Sequence, residues 1–234
     1  MRPPILIFVG FFMAFTAPII SALKNILIPG LILQFFAVVI LLVYFNVPGA
    51  QVYFTFFGAL KINYGFAYSF FATALFGGLI PFGYLWLSGQ LRNNRSVVAV
   101  GIFYCVFWGI KGVEVDLFYR LQSSWFGQGN DLATLVTKVA VDQFIYSAFW
   151  AAPTITLSYL WMEAGFNLRA CWQALDGRYL TQTLPTVIVS NWLVWIPAVS
   201  IIYAMPNQLQ IPLFNLVLCF WVLLLAVLNK RDAR

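Results

Sequence analysis

From Ile26 to Phe45 the chain carries no charge and a single amide, Gln34. A run of roughly 20 such residues is what an α-helix needs to cross the hydrocarbon of a bilayer, and comparable runs recur along the chain. In lipid every backbone polar group must be satisfied internally, so runs of this length resolve into helices rather than exposed loops or open strands. Of the 234 residues, 62% are hydrophobic and only 9% charged. A soluble domain has about 25% charged residues, and so few charges cannot coat a water-facing surface. The reading is an all-α integral membrane protein.

The runs predict a polytopic bundle of about seven transmembrane helices: residues 4–23, 26–45, 64–87, a fourth from 97 onward, 132–161, 183–203 and 211–228. Lys24-Asn25 is read as a break and Asn46-Val47-Pro48-Gly49 as a turn. Residues 50–60 are too few for a span, so they either lie in the interface or extend the next helix. The fourth helix runs out into an amphipathic segment that ends at Trp125-Phe126-Gly127. On it Asp116 and Arg120 (i,i+4) and Lys111 and Glu114 (i,i+3) can pair. A second amphipathic segment covers residues 168–180, and a short uncharged link, 205–210, precedes the last span.

Seven crossings place the two ends on opposite faces. The face holding Lys24, Arg92, Arg95, Arg169, Arg178 and the basic tail carries more Lys and Arg than the other, which puts the C-terminus in the cytoplasm. The net charge of +6 is therefore read as topology and headgroup contact rather than nucleic-acid binding. No cleavable signal is expected, because the first run is as long as a span and lacks a clear small-residue cleavage site. Two stripes of small residues, Ser69, Thr73, Gly77 and Gly101, Cys105, Gly109, are candidate helix contact faces, since membrane helices associate by close packing.

Nothing in the chain carries recognisable catalytic chemistry. There is no His, which removes the commonest metal ligand and general base. No phosphate-binding loop, nucleophile elbow or zinc motif occurs. The three Cys lie far apart; Cys105 and Cys219 read as small apolar residues within spans. The expectation is a protein that is not an enzyme and needs no cofactor. Asn94-Arg95-Ser96 is read as a chance sequon, and the last span has no Lys for a retinal Schiff base.

The most informative polar residues are Lys138, Asp142 and Gln143. Lys138 and Asp142 share a helix face with Thr134. One reading has this helix begin at the interface, with Lys138 snorkelling and paired to Asp142. The other has the three line a polar path, since charge inside hydrocarbon is costly and usually functional. Asn191 either lines a cavity or joins an interhelical hydrogen bond. Pro197 predicts a kink over residues 193–197, turning Trp192 and Trp195 to different sides; the alternative is a helix end at Trp195.

From about residue 110 onward these positions resemble a known family. Gly112-Val113-Glu114-Val115-Asp116-Leu117-Phe118-Tyr119 is similar to a Gly-Pro-x-x-His-x-Trp-Tyr segment, and Lys138 to Gln143 to a Lys…Asp-Gln motif. Trp172, Leu175 and Tyr179 keep a Trp-x-x-Leu-x-x-x-Tyr spacing. Asn191-Trp192-Leu193-Val194-Trp195-Ile196-Pro197 is similar to Asn-Trp-x-x-Trp-Pro with one residue inserted. Pro206 and Trp221 fall where a Val-Pro and a terminal Trp-Asn stand. The family is the 22-kDa peroxisomal membrane proteins, or Mpv-seventeen family. The chain departs from it at Asp116 (His in the family), Ser200 (Gln), Gln210 (Arg) and Val222 (Asn), so it resembles a divergent member. On this reading residues 1–62 are an N-terminal addition with two spans, and residues 63–234 are the family-like bundle.

The resemblance implies a mitochondrial inner or peroxisomal membrane in a eukaryote, and a pore-like role; in a prokaryote the membrane is the bacterial inner one. The leading expectation is a protein that provides or regulates a permeability pathway for small solutes or ions. The alternative is a non-conducting structural or lipid-contacting membrane protein. Membrane lipids are the expected partners, no nucleic acid is, and a homo-oligomer is compatible with either reading.

Overall fold

A computed structural model describes residues 4–91 and 96–232, without the side chains of residues 4–18 and 224–232. Among the described residues every regular element is helical. The order is α1 (Pro4–Asn46), α2 (Ala50–Thr73), a π-helical turn (Ala74–Leu79), α3 (Ile80–Leu87) and α4 (Val97–Phe126). Then come α5 (Leu132–Ala140), a π-helical segment (Val141–Ala151), α6 (Ala152–Glu163) and α7 (Leu168–Ala174). A π turn (Tyr179–Thr183), α8 (Leu184–Ala204) and α9 (Asn207–Asp232) complete it. Among the described residues, four helical runs are long and apolar enough to cross a membrane: Ile19–Asn46, Ala50–Leu87, Val97–Phe126 and Tyr179–Ala204. The chain is all-α, with the helices of an integral membrane protein.

Among the described residues four is fewer than the seven spans expected; the last, 211–228, runs into residues whose side chains lie outside the described set, and other differences have local causes. α1 continues through Lys24-Asn25. Neither residue forbids a helix, the cost of Asn against Ala being under about 0.7 kcal/mol. The first expected span, residues 4–23, falls largely on residues whose side chains lie outside the described set. Residues 50–60 extend the following helix, the second of the two readings open for them. Residues 132–163 are helical throughout, but Lys138, Asp142 and a series of Trp, Tyr and Thr residues dilute their apolar character. The expected amphipathic segment 168–180 is built of two helical pieces. Asn167 caps α7, its Oδ1 accepting from the N–H groups of Arg169 and Ala170. The chain then breaks at Leu175, and Asp176 Oδ1 accepts from the N–H groups of Arg178 and Tyr179 to start the next helix. Both are side-chain caps on otherwise orphaned donors. The link at 205–210 shrinks to Met205-Pro206, with Leu209 N–H donating to Pro206 O.

The chain forms two compact units: Met1–Leu31 with Ala140–Ile196, and Ile32–Val139 with Pro197–Arg234. In the second, α4 packs against α2, its π turn and α3 through glycines. A Cβ on Gly78 would lie 2.6 Å from Tyr104 O, and one on Gly109 2.7 Å from the Phe70 ring. A Cβ on Gly112 would overlap Ser69 O and Thr73 Oγ1. The two stripes of small residues thus belong to one contact, where missing side chains let backbones approach. α9 closes the unit: the Gly77 Cβ position is 2.6 Å from Leu218 Cδ2, and Thr73 Oγ1 donates to Asn215 Oδ1 at 2.7 Å.

In the first unit the Gly30 Cβ position lies 3.5 Å from Val194 Cγ2, so α1 meets α8 over a glycine. Phe144 and Trp192 meet edge to face at 4.9 Å. The Thr156 and Tyr179 hydroxyls share a hydrogen bond of 2.7 Å.

Candidate functional site: a buried ion cluster beside a polar cavity

α2 is not a regular helix throughout. At Gly65 the backbone takes φ 53°, ψ −123°, a conformation that only glycine adopts without steric cost. The Gly65 carbonyl accepts from Lys61 Nζ (3.4 Å) and Ser69 Oγ (3.3 Å). Both donors also reach α4: Lys61 Nζ and Ser69 Oγ each lie 2.7 Å from Asp116 Oδ2. From one turn further along α4, Arg120 Nε donates to Asp116 Oδ1 at 3.0 Å and Nη2 to Oδ2 at 3.5 Å. The guanidinium lies over the Phe66 ring, 4.4 Å from its centroid, where ring and cation attract. Lys61 and Asp116 are 5% and 3% exposed, whereas the Arg120 side chain is half-exposed.

Taking two charges out of water is favourable only with close geometry and further hydrogen bonds. Asp116 has both. Its oxygens accept from one ammonium, one hydroxyl and two guanidinium N–H groups, three of them on Oδ2. Beside this cluster lies a cavity of about 610 Å³, within the range of small-molecule sites. Lys61, Asp116, Tyr119 and Arg120 form one wall; Ser123, Ser124 and Gln128 continue it along the end of α4. Asn207, Gln208 and Gln210, from the start of α9, face them.

The residues singled out from sequence fall into two other groups. Lys138 is 1% exposed and sits with its Nζ 5.8 Å from the centroid of the Tyr203 ring. Gln122 Nε2 donates to Lys138 O (3.1 Å) and to the Tyr203 hydroxyl (2.8 Å). Asp142, Gln143 and Asn191 belong to the other unit, where the structure gathers them. Gln143 Nε2 donates to Asp142 Oδ1 at 2.7 Å, and Asn191 Nδ2 to Ser147 Oγ at 2.8 Å. Trp192 Nε1 donates to Gln143 O at 2.8 Å. This network lies on the π-helical segment, a wider winding that is rare and concentrated at functional positions.

Of the positions carrying the resemblance, Gly112 is at the tightest point of the α2–α4 contact. Tyr119 is buried, its ring 5.0 Å from that of Tyr203. Trp172 is exposed on α7, and Tyr179 bonds Thr156 as described. Trp195 is buried, and α8 continues past Pro197 to Ala204 instead of ending at Trp195. Pro206 stands in the turn into α9, and Trp221 is half-buried on α9.

The cluster at Asp116 was only half visible beforehand. The Asp116–Arg120 and Lys111–Glu114 pairs follow from helical spacing and are both present. In the sequence Lys61 only follows the short segment 50–60, and residues 207–210 only fall within the link 205–210. The available signal was a lone Lys within an apolar helical run, four residues before a Gly. Comparisons with models of protein families, with curated proteins and with solved structures gave no match.

Proposed function

We propose that this chain provides or regulates a permeability pathway for small polar solutes or ions, with the cavity at Lys61, Asp116 and Arg120 as a solute station. The observation that carries this reading is a cavity of about 610 Å³, where hydroxyls, amides and a buried ion pair meet apolar side chains such as Ile62 and Ile211, in a chain otherwise built largely of apolar helices. Charge within such helices is expensive and tends to mark solute paths. The order of the Gly112 to Trp221 positions supports divergent membership of the 22-kDa peroxisomal membrane protein family.

The span count we favour is six: α1, the run from α2 to α3, α4, the run from α5 to α6, α8 and α9. The even count puts both ends on one face, which the excess of Lys and Arg assigns to the cytoplasm. The end of α4 and the start of α9, which line the cavity, then lie toward the other face. Liposomes containing the purified protein should leak small solutes, and Ser123→Trp, which fills the cavity, should reduce the leak several-fold. Folded protein that leaves permeability unchanged would exclude the pathway.

A second reading, a lipid-contacting protein without a conduit, has one specific support: Leu168 and Trp172 point outward from α7, 74% and 78% exposed, as on a helix lying in the interface. It predicts no leak, with Trp172→Ala weakening association of α7 with lipid, read as a change in Trp quenching by brominated acyl chains.

A further inference from the structure

We infer that the cavity binds an oxyanion, a carboxylate or phosphate group, held by Arg120 and Lys61 and completed by donors from α4 and α9. The inference deepens the solute-station reading above and rests on it. The charge count comes first. Two cations, Lys61 and Arg120, share one carboxylate, Asp116, and all three line the cavity. The pairings leave one positive charge uncompensated within the cluster.

Donor geometry points the same way. The carboxylate is already held by two cations: Lys61 Nζ, Ser69 Oγ and Arg120 Nη2 reach Oδ2, and Arg120 Nε reaches Oδ1. Beside that positive charge it is a poor seat for a third cation. The cations have donors to spare. Lys61 uses two of its three N–H bonds, on Asp116 and Gly65 O. Arg120 engages Asp116 through Nε and Nη2, which leaves the Nη1 donors for a ligand, while Phe66 supports the guanidinium plane. The wall also holds groups that can donate, the Ser123 and Ser124 hydroxyls and the Gln128, Asn207 and Gln208 amides, beside the apolar Ile62 and Ile211. Spare donors around surplus positive charge suit a ligand that brings several acceptor oxygens and a negative charge. Arg is the residue best shaped for such a group.

The oxyanion can belong to a soluble solute or to a lipid headgroup, and the experiment has an arm for each. Full-length protein in neutral detergent is titrated with inorganic phosphate, and separately with acetate, against sodium chloride at matched ionic strength, reading the thermal unfolding midpoint. In parallel, native mass spectrometry counts phosphatidylglycerol against phosphatidylcholine retained from mixed nanodiscs. A rise in midpoint with phosphate or acetate identifies a soluble ligand; selective retention of phosphatidylglycerol identifies a headgroup. In either arm Arg120→Gln should weaken binding roughly tenfold or more, the scale of one charge-assisted hydrogen bond, and Arg120→Lys should restore part of it. Lys61→Gln also strips a donor from buried Asp116 and is expected to impair folding, so the half-exposed Arg120 and the pair Ser123→Ala and Ser124→Ala carry the test. No effect beyond chloride in both arms would overturn the inference, as would an effect that Arg120→Gln leaves unchanged. Binding is measured without flux, so oxyanion binding with no leak removes the pathway, and leak with no oxyanion binding removes only the ligand class.

Discussion

The molecule buries polar groups in two different ways. Around Asp116 it uses full charges: an ammonium, a guanidinium and a carboxylate drawn together by a glycine kink in α2 and a glycine-lined contact with α4. Around Asn191 the bonds between helices are neutral: an amide to a hydroxyl and an indole to a carbonyl, from α8 to the π-helical segment. The first arrangement depends most on Asp116, because removing it leaves buried Lys61 without its partner. The second degrades gently, because a neutral bond between membrane helices is worth about 0.6 kcal/mol and at most about 1.7.

Asp116→Ala should break the comparison most sharply. It strands Lys61, 5% exposed, and should cost about 3–5 kcal/mol, read by reversible unfolding in mixed micelles. Asp116→Asn keeps the shape and an acceptor for Ser69 and should cost less. Next is Gly112→Ala. The new methyl would overlap Ser69 O and Thr73 Oγ1, so α2 and α4 must separate, at about 1–3 kcal/mol. The same unfolding assay reads it, and an equal loss in Gly83→Ala, where the Cβ position meets open space, would refute the packing argument. In the neutral network, Asn191→Ala and Ser147→Ala should each cost under about 2 kcal/mol, and their double-mutant cycle should return a coupling near 0.6. A coupling as large as that between Lys61 and Asp116 would erase the distinction.

The smallest effect lies outside the membrane-spanning helices. Asp131 Oδ2 accepts from the Thr134 hydroxyl at 2.7 Å and Oδ1 from the Thr134 N–H at 3.0 Å. These bonds, the side-chain one first, hold its carboxyl below the usual carboxylate range. A lowered folded-state value means the cap contributes fully above the unfolded value, about 3.9, and is lost as pH falls through the folded one. Amide exchange at Thr134, corrected for its intrinsic pH dependence, should therefore rise on acidification below that value, and Asp131→Asn should remove this dependence.

Much of the scaffold was legible in advance. Helical spacing alone paired Lys111 with Glu114 and Asp116 with Arg120. The small-residue stripes marked the α2–α4 contact, and Asn191 was marked as a candidate for an interhelical bond. The break at Lys24-Asn25 was misread because a polar pair in an apolar run resembles a loop, although both residues fit a helix. The division of the amphipathic segment 168–180 was not visible, because amphipathic spacing continues across Leu175, while Asp176 starts a new helix by capping it.

Composition and run length by themselves determined that this chain is helical and belongs in a membrane, because transfer from water and backbone satisfaction depend only on what a segment contains. They could not determine that Lys61 meets Asp116. These residues are 55 positions apart, and their meeting depends on one glycine dihedral and on the absence of a side chain at Gly112. Nor could they reveal the cavity, which exists only where the end of α4 and the start of α9 fail to fill the space between them. Local propensities are additive along a chain, whereas a site is a coincidence of distant residues, and only the packed structure decides which coincidences occur.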